Sequence, residues 1–541
     1  MANGDIYFGT KGVDTKLYDS ATKKINSAFL PESQSGSTVT VVSALPSTGT
    51  SGTIYLVPNS SSRTNDIYDE YIWLESNKWE FLGNKHVEVD LSNYYTKEEV
   101  NTALKSIYLT SIQAYGVEWD TTVADPQITR IGNLSLHKSL PIQSGYRGCV
   151  AQGNKIMYYL DPNDWSKKED GTDSVLDGTD GTVRVHTPRF YGKSEVDGNK
   201  RRVWISCEKI DYTWIEVPEM LVDAYRSTVL NTVPSDGYLS TLPVNSAVSV
   251  VSTDSSLRGG MNRTANDQYL DTNPCRSDLG KPRTSISRST MRTYSRNSGS
   301  EMLCYEYYKW IFYWAYVIEY ANFNSQATYN ANLTSDGFRQ GGLGAGVTTW
   351  DNSWNTYNDY CPLIPCGYCN EIGNFTGVKS MSIPETVVDE TETVAAKTFS
   401  VPRWRGFDNP FGDIWTNLDG IVIQRTEANQ PSQVYTTSDP AEFTDVIGSK
   451  KVVGIEVATD GYIKEFDLGE TGGIIPTSIG GSATTYKCDY HWCKASNTAL
   501  RTLLVSGCAH YGSDSGLGCF GSSYKVDFSY PLVGFRTYNL I

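Results

Sequence analysis

Apolar residues fall in short runs along most of the chain, and few of those runs keep helical spacing. Val39-Thr40-Val41-Val42 and Thr53-Ile54-Tyr55-Leu56-Val57-Pro58 are rich in β-branched residues and are separated by Leu45-Pro46 and the Gly49/Gly52 turn region. Tyr71-Ile72-Trp73-Leu74 and Trp79-Glu80-Phe81-Leu82-Gly83 flank Ser76-Asn77 and predict a hairpin. Residues 38–85 therefore read as a small β domain, too short to stand without neighbours. Residues 1–37 offer only Ile6-Tyr7-Phe8 and Ala28-Phe29-Leu30 as apolar pieces. They predict either a terminus without a core or an arm that orders on a partner. In residues 86–114, Thr96-Lys97-Glu98-Glu99 is a capping box, and Val100, Leu104 and Ile107 continue it as one apolar stripe. That predicts a short helix, either bundled with other copies of the chain or lying as a linker on the next domain.

From residue 115 to residue 541 the texture is constant: aromatics and glycines alternate with Asn, Asp and Ser turn signals. This stretch reads as one large domain with two main helices. One follows Val217-Pro218-Glu219 through Met220, Leu221, Ala224 and Tyr225. The other spans about 301–321, where apolar residues occupy nearly the whole circumference and predict a buried central helix. Near the C-terminus, residues 499–504 and 531–536 predict two apolar strands. Between them, residues 506–529 have no periodicity.

Composition narrows the function classes. Lys and Arg total 46 against 61 Asp and Glu, a net charge of −15, which argues against a nucleic-acid partner that needs clustered cations. Hydrophobic residues at 39% suffice for real cores. The apolar run 310–318 is too short to span a bilayer, so no membrane insertion is expected, and the first residues (MANGDIYFGTKGVDTK) lack the apolar core of a secretion signal. Tyr outnumbers Phe by 36 to 16, which suits either a recognition surface or half-buried β-sheet aromatics.

No constellation carries enzyme chemistry. The histidines (His86, His137, His186, His491, His510) form no HExxH, and no Gly-x-Ser-x-Gly elbow occurs. Cys361, Cys366, Cys369 and the pair Cys488/Cys493 are irregularly spaced, and free thiols are the better reading than zinc ligands. Asp173, Asp177 and Asp180 lack the closing Glu of a calcium loop, and residues 341–346 lack the Lys of a phosphate loop. No catalytic residue, metal ligand or cofactor is assigned. The informative segment is 506–529, whose Tyr, Ser, Asp, His, Cys, Gly and Phe are largely residues reachable by adenine substitutions in an Asn codon. A surface with interchangeable contacts suits that composition, as does an ordinary Ser/Gly-rich loop. The candidate ligand-binding residues are Tyr490, His491, Trp492, His510, Tyr511, Asp514, Phe520, Tyr524 and Phe528.

The C-terminal pattern Ser506-Gly507, Gly516-x-Gly518 and Val533-Gly534-Phe535-Arg536 resembles the last strands of the C-type-lectin-like fold. That fold is shared by formylglycine-generating enzymes and the variable proteins of diversity-generating retroelements. Gly116-Val117-Glu118-Trp119-Asp120, Gly337-Phe338-Arg339-Gln340-Gly341-Gly342 and Val401-Pro402-Arg403-Trp404-Arg405-Gly406 resemble fibre and adhesin proteins of gut Bacteroidetes phages, crAss-like ones included. Tyr94-Tyr95-Thr96-Lys97-Glu98-Glu99-Val100 is similar to stretches of phage fibre stalks.

The resemblance implies an α+β multidomain fibre. It would comprise a virion-anchoring arm (1–37), a small β domain (38–85), a short trimeric helical stalk (86–114) and a C-type-lectin-like receptor-binding domain (115–541). It implies a homotrimer in the virion, assembled in the host cytoplasm. Residues 1–37 would bind capsid or tail proteins, and the tip would bind a host-surface glycan or protein. Cys508 and Cys519 do not align with the copper-binding pair of the enzymes, and Gln430-Pro431-Ser432 departs from the sugar-binding tripeptide of calcium-dependent lectins. The display role and the fold carry over; oxidase and calcium chemistry do not. The alternative is a virion enzyme acting on host glycan, although the repeats of a β-helical depolymerase are absent.

Overall fold

The computed structural model describes residues 6–8, 15–19, 24–25, 38–59, 68–74, 77–83, 113–260, 279–355, 357, 360–387 and 393–541. The chain divides into two compact units, Met1–Asn101 and Thr102–Ile541.

The first unit contains a four-stranded sheet in the order Thr38–Val41, Thr53–Pro58, Tyr68–Leu74, Lys78–Gly83. The first pair is parallel and the others antiparallel. Asn77 turns the last hairpin with φ 59°, a left-handed conformation that Asn tolerates. Trp79 organises the small core, its ring edge-on to Tyr55 and Trp73 at 4.8 and 4.9 Å. Its indole N–H donates to the Pro46 carbonyl at 3.1 Å. Gly49 lies against this pair, where a Cβ would come 2.6 Å from both Trp73 and Trp79.

Further toward the N-terminus, Ile6–Phe8, Thr15–Asp19 and Lys24–Ile25 form an antiparallel three-stranded sheet. These three strands lie within the stretch expected to be an anchoring arm. The helix expected over 96–107 lies outside the described residues.

The α+β fibre with a helical stalk is corrected as a fold class. The chain is 37% strand and 13% helix, and no long helical stalk is seen among the described residues. Alternating β-branched and aromatic residues, cut every few positions by Gly, Asn and Asp, leave little sequence at helical period.

In the second unit the central helix is present as expected. It runs through Tyr305–Tyr308, a π-helical stretch Lys309–Trp314, and Ala315–Tyr320, and every residue from 308 to 320 is buried. A helix apolar on all sides must be covered on all sides. Phe312 packs on Phe407 at 4.3 Å, Tyr313 on Phe466 at 5.7 Å and Trp314 on Trp119 at 5.9 Å. Its polar members are paired. Lys309 meets Glu306 at 2.5 Å and Thr471 at 2.9 Å, and Glu319 receives the Arg405 guanidinium at 2.7 Å and the Trp404 indole N–H at 3.1 Å.

Three larger sheets belong to this unit. A five-stranded antiparallel sheet runs Ile215–Val217, Phe190–Asp197, Lys200–Ser206, Ala114–Asp120, Thr129–Gly132. A six-stranded sheet runs Lys155–Tyr159, Arg147–Gln152, Thr182–Thr187, Met220–Asp223, Thr537–Leu540, Glu301–Met302. Met220–Asp223 is thus a fully buried strand, not the helix expected after Pro218. Pairing on both edges prevails over the weak local preference of four residues. The largest sheet runs Lys451–Glu456, Ser432–Thr436, Trp415–Gln424, Arg501–Val505, Phe520–Gly521, Tyr490–Trp492, Gly461–Asp467, Ile475–Ile479. Val533–Gly534 joins it parallel to Trp415–Gln424. The strand expected over 499–504 is Arg501–Val505; that over 531–536 is the short Val533–Gly534, followed by Thr537–Leu540 in the other sheet.

Candidate functional site

The alternation of side chains along Tyr490–Trp492 decides which candidate residues face outward. Tyr490 and Trp492 share one face, their rings 4.4 Å apart, whereas His491 between them points inward and is fully buried. Tyr490 is registered opposite Tyr462 on the neighbouring strand, with ring centroids 5.1 Å apart. On the other side, Trp492 pairs with Gly521, and the Tyr511 ring lies 5.2 Å from Trp492 and 5.6 Å from Trp415. Tyr511 continues to His510 at 4.3 Å, and His510 stacks on buried Trp354 at 5.9 Å. The result is a continuous half-buried band: Tyr462, Tyr490, Trp492, Tyr511, His510.

A second stack is built by residues 524–530. Tyr524 lies 3.8 Å from Phe528, which lies 5.7 Å from Tyr530. Trp492, Tyr511, Tyr524 and Phe528 all pack on the same underlying core. Asp514 caps the first band: its Oδ1 accepts the Tyr462 hydroxyl at 2.6 Å, and Ser513 Oγ lies 2.9 Å from the same hydroxyl.

Two of the nine expected residues are corrected. His491 is bound to Thr459 O at 2.8 Å and Glu456 Oε1 at 2.9 Å, with no exposed surface. Phe520, paired with His491 in the sheet, is equally buried. Both are packing residues, because the period of two turns them to the inner face. Conversely, Tyr462 and Tyr530 were not singled out by the sequence. Tyr462 sits in the strand Gly461–Asp467, and nothing local reveals that its register places it beside Tyr490.

Gly516 and Gly518, part of the C-terminal pattern, have a steric role beneath the band. A Cβ on Gly516 would come 1.8 Å from Asp489 Oδ1, and one on Gly518 would come 2.5 Å from Oδ2. Asp489 is fully buried and accepts the Gly518 N–H at 3.1 Å. Burial holds its carboxyl well above the usual carboxylate range, and the Gly518 N–H partly opposes this.

The band is chemically mild. Burial lowers the His510 imidazole, so it is neutral at pH 7. Burial, then the Asp514 contact, pushes the Tyr462 phenol up to about 12. Burial raises Asp514 against the opposing Tyr462 hydrogen bond. Cys508 Sγ lies 3.4 Å from His510 Nδ1, but both Cys508 and Cys519 are buried and their thiols are pushed well upward, the opposite of what a thiolate nucleophile needs. No disulfide joins the described cysteines to one another, and among the described residues no group of His, Cys, Asp or Glu is placed to hold a metal ion. What the band offers is ring faces, hydroxyls and a neutral imidazole on a rigid sheet, the inventory of an adaptable contact surface.

Comparison with protein-family models, with curated proteins and with solved structures finds no match to this chain.

Proposed function

We propose that the protein is a structural virion fibre, of head or tail, whose larger unit attaches the particle to a glycan or protein of the bacterial host surface without catalysis. The observation that carries this reading is the band Tyr462–Tyr490–Trp492–Tyr511–His510. It is half-exposed, lies on paired strands and is flanked by short polar residues from a segment with no periodicity of its own. Aromatic side chains with few rotatable bonds give large contact area at low entropic cost. Residues 1–37 anchor the fibre to capsid or tail proteins, and three copies assemble. The resemblance to phage adhesins noted in the sequence supports the same reading.

The test is adsorption of purified full-length protein to host cells. Tyr490→Ala and Tyr530→Ala expose no core, so they should cut adsorption about tenfold or more with little change in melting temperature. Tyr212→Ala, at a residue 91% exposed and far along the chain from the band, should leave adsorption unchanged. Equal adsorption by all three variants would sink the reading. Release of oligosaccharide from host capsule by the unmodified protein would favour the enzymatic alternative.

A further inference from the structure

Four described lysines are buried, and three of them have partners. Lys309 meets Glu306 and Thr471, Lys281 meets the Ser256 carbonyl and Asp254, and Lys450 donates to the Glu442 and Val446 carbonyls. Lys487 differs. It is 1% exposed, and among the described residues its ammonium makes no hydrogen bond and no ion pair. It faces rings instead: Nζ lies 3.5 Å from the Phe323 centroid, 4.0 Å from Trp119 and 5.4 Å from Phe466.

This side chain lines a cavity of about 280 Å³, with Trp119, Phe323 and Tyr486 among its aromatic walls and Asp125 at its exposed rim. The backbone on both sides is left-handed at non-glycine residues, φ 54° at Tyr486 and 60° at Cys488. Such conformations cost free energy and persist where the surroundings impose them.

The charges facing Lys487 are already engaged. Glu465 is held by Arg201 at 2.5 Å, and Glu118 by Lys200 at 2.9 Å and Arg202 at 2.5 Å. Asp120 accepts from Thr122 and Asp125 from the Gln127 N–H. Lys464 extends over the Tyr486 ring at 5.3 Å. Burial drives the Lys487 amine well below its ordinary range; Glu465 opposes this and Arg201 reinforces it.

We propose that Lys487 is a reactive amine that forms an imine with a small aldehyde admitted to this cavity. A buried lysine without a counter-ion is how proteins obtain a neutral, nucleophilic amine at neutral pH. The Nζ lone pair attacks the carbonyl carbon, a C–N bond forms, and the carbonyl electron pair moves to oxygen. That oxygen leaves as water with the two hydrogens of the amine, and C=N remains. No oxidant or reductant takes part. The aromatic walls suit an aldehyde with a planar apolar body.

The test uses the full-length protein at pH 7 with benzaldehyde and cyanoborohydride, which traps the imine as a stable amine. Peptide mass mapping then compares three lysines of one cavity: Lys487, Lys464 and Lys200. Lys487 should be labelled about tenfold faster or more than the other two, since each unit of lowered pKa adds up to tenfold in neutral amine. If Lys487 stays unmodified, or reacts no faster than Lys464 and Lys200, the side chain is a caged cation or a closed-off core residue and the proposal is overturned.

Discussion

Tyr524 and Phe528 lie face to face, their ring centroids 3.8 Å apart and their planes 16° from parallel. Both rings also rest on the core beneath. A surface residue that is half core has two effects on truncation. Tyr524→Ala and Phe528→Ala should each lower stability as well as adsorption. In a double-mutant cycle read by urea unfolding, the pair should couple by about 0.5–1.5 kcal/mol. Additive stability losses would show that the stack contributes no more than its separate contacts.

Asp489 gives a pH signature. Its folded-state carboxyl is raised by burial, whereas in the unfolded chain it titrates near the usual value of about 3.9. Above that value the folded state holds a proton that the unfolded state has lost, so this residue's contribution to stability falls as pH rises through the window. Asp489→Asn keeps an oxygen for the Gly518 N–H and removes the titration. The variant should gain on the wild type steadily from pH 4 to pH 7 in chemical denaturation. A pH-independent difference would contradict the assignment.

Glu319 and Arg405 form a buried pair, with Arg405 donating from Nη2 at 2.7 Å and from Nε at 3.0 Å. Burial lowers the Arg405 guanidinium, but the Glu319 carboxylate outweighs it and the net direction is upward. Removing one partner strands the other charge. Glu319→Ala should therefore cost about 3–5 kcal/mol in urea unfolding, while a paired replacement by apolar residues should cost much less.

Leu504 is fully buried in the strand Arg501–Val505, directly under the band. Leu504→Ala should lose about 2–5 kcal/mol of stability, yet retain adsorption at temperatures where the protein stays folded. Loss of adsorption from a folded Leu504→Ala variant would mean that the band depends on fine core geometry.

The proposed assembly has a direct measure. Light scattering of the full-length protein should give the mass of three chains. A monomer at micromolar concentration would remove the trimer from the proposal.

Local pattern made the central helix legible, because an all-apolar circumference has one stable environment. The hairpin of Tyr68–Leu74 and Lys78–Gly83 was legible through its turn residues. The helix expected at residue 220 was not legible as a strand, because four residues after a proline state only a weak preference, and pairing with Thr182–Thr187 and Thr537–Leu540 decides the outcome. Which of the candidate residues face outward was not legible in the sequence. Tyr490 and Trp492 project outward while His491 does not, and that parity depends on the strand's register and on which face of the sheet is covered. Tyr462 was invisible for the same reason: its neighbour Tyr490 is set by cross-strand register.

The strand Thr537–Leu540 lies between Met220–Asp223 and Glu301–Met302, hydrogen-bonded to both. Asp223 accepts the Thr537 N–H at 2.8 Å, and Arg536 spans the carbonyls of Asp223 and Asp408 at 2.9 and 2.7 Å. During synthesis, the six-stranded sheet therefore lacks its fifth strand, and Glu301–Met302 lacks its partner, until residues 537–540 emerge from the ribosome. Completion of the larger unit thus waits on pairing between segments far apart in sequence, and such long-range closure is slow. The segment 506–529 emerges just before the strand that completes the sheet. A chain that stops within or before it lacks Thr537–Leu540 and cannot complete the sheet.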